Sequence, residues 1–115
     1  MEFSFKITSE TPVVKIELYG RLMDKAHASE LLSKMDALIL EGKNRFILNL
    51  TAMDYMNSSG LNTMVNMLTK ARSKGGEVLV ANVSKKVKEL FIITKLNTLF
   101  TVTENMEEAE KHFSN

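Results

Sequence analysis

The stretch Phe46, Ile47, Leu48, Asn49, Leu50 constrains the fold of this chain most, because four of its five residues are apolar and no alternation separates them. A strand with one wetted face alternates apolar and polar side chains, whereas a strand covered on both faces reads as a nearly continuous apolar run. The segment is therefore expected at the centre of a sheet with helices on either side. Its neighbours agree. Upstream, Asp24 is a candidate N-cap for a helix carrying Ala28, Leu31, Leu32, Met35, Leu38 and Ile39, the stripe of a half-buried helix, and Gly42 ends it. Downstream, Leu61, Met64, Val65, Leu68 and Ala71 form a second stripe; Lys70, Arg72 and Lys74 oppose the helix dipole near its C-terminus, and Gly75 and Gly76 stop it.

Phe3, Phe5 and Ile7 alternate with polar residues, and the alternation resumes at Val14, Ile16 and Leu18. This predicts a hairpin with Ser9, Glu10, Thr11 and Pro12 in its turn, where a missing N–H breaks no ladder bond. Val78, Leu79, Val80 and Val83 read as the next strand, and Ser84 can cap a short helix carrying Val87, Leu90 and Phe91. Leu99, Phe100 and Val102 suggest a last strand, and residues 104–113 a terminal helix with Glu104, Glu107 and Glu108 in its first turn. The order β-β-α-β-α-β-α-β-α predicts an α/β fold, a mixed and largely parallel sheet flanked by helices. With 115 residues, a single domain over 1–115 is expected.

Composition narrows the chemistry. There is no cysteine, so disulfides, thiolates and Cys-ligated metals are excluded, and His27 and His112 have no metal-spaced partner. A formal net charge of +1 gives no large field for a polyanion, so neither nucleic acid nor membrane is expected as a partner. No apolar run approaches the ~18 residues of a membrane span, and residues 1–10 alternate rather than resembling a signal peptide; a cytoplasmic protein is the expectation. Gly75 and Gly76 precede a strand rather than a helix, so they make no phosphate cradle, and no cofactor motif is present. Lys85, Lys86 and Lys88 cluster at a helix start, where solvated charge is the plain reading.

In open α/β sheets, ligands and reactive groups gather beyond the carboxyl ends of strands, where helices begin with unpaired N–H groups. Asn57, Ser58, Ser59 and Gly60 occupy that place. One serine hydroxyl can cap the second helix and leave the other free at its mouth, while Gly60 removes a side chain that would crowd an approaching group. A phosphate on Ser58 would be tolerated by the helix terminus but not by a protein surface packed over it. Alternatively, the Ser-Ser-Gly run only caps and packs the helix. Met67 can fill core space or join Asn62, Thr63 and Asn66 in a partner-binding face beside Ser58. A hydrolase reading has half a nucleophile elbow, since Met56 stands where the preceding glycine belongs, and only His27 or His112 as a base.

The run Asp54, Tyr55, Met56, Asn57, Ser58, Ser59, Gly60, Leu61 resembles the signature of the STAS domain, specifically of bacterial anti-sigma factor antagonists. The likeness extends to Gly20-Arg21-Leu22 followed, after Met23, by Asp24; to the strand over residues 46–50; to Gly75-Gly76-Glu77; and to Val87-Lys88-Glu89-Leu90-Phe91. Many relatives have Asp where this chain has Asn57. The resemblance implies a non-enzymatic regulator that binds an anti-sigma factor, often itself a serine kinase using ATP and magnesium, and so frees a sigma factor for transcription. It implies release on phosphorylation of the first serine, here Ser58, rather than of Ser59, the less favoured acceptor, and reversal by a serine phosphatase. The expected partner surface comprises Asp24, Asn57, Ser58, Ser59, Gly60, Asn62, Thr63, Asn66 and Met67. The rival is a STAS scaffold, or a subunit of a transport or chemosensory assembly, indifferent to changes at Ser58.

Overall fold

In a computed structural model, residues 3–9, 12–23 and 25–114 are described, the side chain of Lys25 apart. Strands β1 (Ser4–Thr8) and β2 (Val13–Leu22) form the expected hairpin. A 3₁₀ turn at Lys25–Ala28 leads into α1 (Ser29–Leu40), followed by β3 (Arg45–Met56), α2 (Ser58–Arg72), β4 (Glu77–Ala81), α3 (Lys85–Ile93), β5 (Thr101–Thr103) and α4 (Met106–Ser114). The five strands lie in chain order, β1-β2-β3-β4-β5; β1 is antiparallel to β2 and every later pairing is parallel. The mixed, largely parallel sheet is thus present, with β3 central.

The apolar run in β3 is covered on both faces, though unequally. Phe46, Leu48 and Leu50 join Val14, Ile16, Leu18, Val78 and Val80 in the main core, against Leu31 and Met35 of α1, Met64 and Leu68 of α2 and Phe91 of α3. On the opposite face Ile47, Leu79 and Ala81 meet Ala109 of α4, with Val13, Met106 and Phe113 partly buried around them. Lys15 of β2 pairs with Glu110 of α4 across that thinner layer.

Asp24, the candidate N-cap ahead of α1, lies outside the described residues, as do Glu10 and Thr11 of the hairpin turn; Ala28, directly before α1, makes no side-chain cap bond. One detail departs from the sequence reading. Strand β3 does not stop at Leu50 but continues to Met56, because the ten-residue β2 pairs with it as far as Leu22. Along this pairing β3 carries one extra residue twice, between the Glu17↔Asn49 and Tyr19↔Ala52 pairs and again between Gly20↔Met53 and Arg21↔Tyr55. Such bulges bend a strand and re-aim its end. Strand β4 stops at Ala81, opposite Asn49, so the last residues of β3 run on beyond β4, paired with β2 alone, and deliver residues 57–60 at the carboxyl edge of the sheet.

Ser84 caps α3 as expected, accepting from the Val87 N–H at 3.2 Å. At the end of α2, Arg72 binds Glu77 through Nε at 3.1 Å and donates to the Leu99 carbonyl at 3.0 Å, tying three segments together.

Candidate functional site

The start of α2 is set by Asn57, not by a serine. Its backbone is extended and its Oδ1 accepts the Gly60 N–H at 3.0 Å, the N-cap bond itself. Its Nδ2 donates to the Met23 carbonyl at 2.8 Å, and its own N–H reaches the Leu22 carbonyl at 3.3 Å. Asparagine suits this place because it accepts toward the helix and donates toward β2 at once, which aspartate cannot do. The expectation that one serine hydroxyl caps the helix is therefore corrected: among the described residues neither Ser58 nor Ser59 makes a side-chain hydrogen bond, and both are exposed. Asn57→Ala is expected to cost about 1–2 kcal/mol, loss of a cap plus a stranded Met23 carbonyl, read as a lower midpoint in urea unfolding at unchanged slope.

Gly60 also serves another purpose than the one expected. It is buried, and a Cβ there would stand 2.3 Å from the Leu22 carbonyl oxygen and 2.9 Å from Met56 Cβ. Its bare Cα lets the first turn of α2 sit against the end of β2 rather than opening space for a ligand.

The residues singled out from the sequence separate into two sets. Ser58, Ser59, Asn62 and Asn66 are exposed on α2, and Asn57 is half-buried at its head. Met67 is 0% exposed and Thr63 1%, so neither offers a partner-binding surface as expected. Met67 fills the main core, and Thr63 turns its hydroxyl back to the Ser59 carbonyl at 3.1 Å. The side of α2 that packs on the sheet is rotated slightly toward Met67 and away from Val65, which is half-buried.

Two hollows flank Ser58 and Ser59. One of about 60 Å³ is lined by Ser59, Asn62, Thr63 and Asn66; the other, of about 190 Å³, by Ser58, Leu61, Asn62, Val65, Thr94 and Leu96. Both fall short of the ~300 Å³ at which small-molecule pockets begin. Val65 was legible at seven residues from Ser58, two helical turns on. Thr94 and Leu96 come from the turn after α3, and no local pattern announces them.

The electrostatics suit a negative charge on Ser58. The first turn of α2 holds no acidic residue, and its free N–H groups carry the positive end of the helix dipole. The Tyr19 hydroxyl donates to Glu17, which holds the phenol above its usual 10.0, with desolvation and the carboxylate's charge adding to that. Tyr19 faces Ser4 and Ala52 in the sheet register, outside the residues that line the α2 hollows. His27 and His112 are exposed, and among the described residues no group of three potential metal ligands gathers. Nor is any described helix long and apolar enough to cross a membrane.

Comparison with known proteins agrees with this architecture. The anti-sigma-B factor antagonist of Staphylococcus aureus is 27% identical over 107 residues, 93% of this chain and 98% of that protein. An anti-sigma factor antagonist from Mycobacterium paratuberculosis superposes with a TM-score of 0.82 at 15% identity, covering 99% of this chain and 96% of its own. The anti-sigma factor antagonist SpoIIAA, whose structure is known unphosphorylated and phosphorylated, superposes with a TM-score of 0.74 in both forms, at 19% and 21% identity and over 96% of this chain and 97% and 99% of its own. The STAS domain model matches residues 5–109, nearly the whole sheet, helices α1 to α3 and the start of α4, and this chain belongs to the STAS domain family.

Proposed function

We propose that this chain is an anti-sigma factor antagonist that binds its anti-sigma partner through the exposed head of α2 and is released by phosphorylation of Ser58. The observation that carries this reading is the division of labour at the helix start: Asn57 makes the cap bond, so the Ser58 hydroxyl stands exposed and unengaged at the positive end of α2. A phosphate of about −1.5 to −2 charges there would be stabilised within its own chain by the helix dipole, while any protein packed over Ser58 would have to desolvate it. Modification would change docking without unfolding the domain. Turning a partner from 99% bound to 1% bound needs about 5.5 kcal/mol of differential affinity, a magnitude within reach of a dianion buried in a contact interface. In this reading the chain is a substrate of the kinase and phosphatase and performs no catalysis of its own.

Incubation with the cognate anti-sigma serine kinase, ATP and magnesium is expected to add one phosphate, absent in Ser58→Ala by intact-mass spectrometry. Ser58→Asp is expected to weaken binding of that partner by about a hundredfold or more in calorimetry. Phosphate on another residue would defeat the assignment. Partner binding indifferent to Ser58→Asp would leave the scaffold reading in its place.

A further inference from the structure

Beside the Ser58 end lies a second arrangement that the switch does not use. Arg21 and Tyr55 are partners in the β2–β3 register, and the Arg21 guanidinium carbon stands 5.7 Å from the centre of the Tyr55 ring. The Lys86 ammonium, from the first turn of α3, stands 5.1 Å from the same ring. Both distances are those of cation–π contacts. Among the described residues neither cation has a carboxylate within ion-pair distance, and neither has Lys85. Asp54, the adjoining acid in the chain, forms no ion pair with them; Lys88 lies apart, lining a dimple with Glu104.

Three features set this cluster apart from ordinary solvated charge. An aromatic ring orders a long basic side chain without neutralising it, so the entropic cost of fixing Arg21 and Lys86 is partly met before anything binds. Lysines in the first turn of α3 add to the positive end of the helix dipole, a placement that works against the helix. The cluster is also contiguous with the proposed docking face: Tyr55 precedes the N-cap Asn57 by two residues, and Leu22, next to Arg21, receives the Asn57 N–H.

We propose that Arg21, Tyr55 and Lys86 form a seat for an acidic segment of the protein that docks at the Ser58 end. Carboxylates of that segment pair with the two ring-held cations while the α2 surface meets the rest of the partner. A formal net charge of +1 over the whole chain and a patch this small favour a short acidic peptide segment over a nucleic acid or a lipid surface. This inference rests on the docking reading of the Ser58 end, and its test is independent of the switch.

The test uses the full chain and a fluorescently labelled oligoglutamate peptide, followed by anisotropy at low and at physiological ionic strength, beside a Ser/Gly peptide, a single-stranded oligonucleotide and phosphatidylserine vesicles. The expected result is salt-sensitive binding of the acidic peptide alone, weakened about tenfold or more by the pair Arg21→Glu and Lys86→Glu. Lys111→Glu, half of that charge change placed on exposed α4, should leave it unaltered. Both reversed positions are exposed, and unchanged thermal midpoints would show that the variants fold. No binding, equal loss in Lys111→Glu, or tighter binding of oligonucleotide or vesicle would overturn the inference. A failed switch with intact peptide binding would instead fault the Ser58 assignment.

Discussion

Gly60→Ala is expected to destabilise the protein by about 3 kcal/mol and to abolish the partner docking proposed above even with Ser58 unmodified. The added methyl would sit 2.3 Å from the Leu22 carbonyl oxygen and 2.9 Å from Met56 Cβ. Both are anchored: Leu22 and Met56 are 0% exposed and in register with each other at the ends of β2 and β3. The clash is therefore relieved only by lifting the first turn of α2 off the sheet. That movement stretches the Asn57 cap bond and the 2.8 Å bond to Met23, and it carries Ser58 and Ser59 with it. Thermal unfolding should show a fall on the order of 10 °C, and pull-down with the anti-sigma partner should show loss of binding. A variant of undiminished midpoint and affinity would mean that the contact between α2 and β2 is looser than these distances imply.

The second large effect concerns the central strand. Phe46→Ala is expected to cost roughly 3–5 kcal/mol, a midpoint shift on the order of 15 °C, because the ring is wholly buried among side chains drawn from both neighbouring strands and from helices of the main core. Leu40, 87% exposed at the end of α1, provides the contrast: Leu40→Ala should change stability by no more than about 0.5 kcal/mol. If chemical denaturation ranked the two variants equally, Phe46 would not be the keystone that its burial makes it.

Much of the architecture follows from spacing within short windows. The nearly continuous apolar run at residues 46–50 placed β3 in the middle, and the helical stripes beginning at Leu31 and Leu61 supplied what covers it. Such patterns are legible because burial of an element's face is repeated along its own period. The Ser58 region stood out for a similar reason, since a polar Gly-containing turn between a buried strand and an amphipathic helix has few other places to go.

What escaped a linear reading depended on partners distant in the chain. Whether Asn57 or a serine caps α2 was settled by the Met23 carbonyl, which gives Asn57 a second bond that no serine hydroxyl matches in that position. Met67 and Thr63 lie on a flank of α2 that a helical wheel leaves ambiguous; only the packed structure shows that flank to be buried. The reach of β3 to Met56, its two bulges and the meeting of Arg21 with Lys86 over Tyr55 arise from pairing between strands and from packing of α3. Local periodicity carries the energy of an element's own burial, so it writes the element order into the chain; competition among caps, registers and cations is decided by groups brought close only when the sheet assembles.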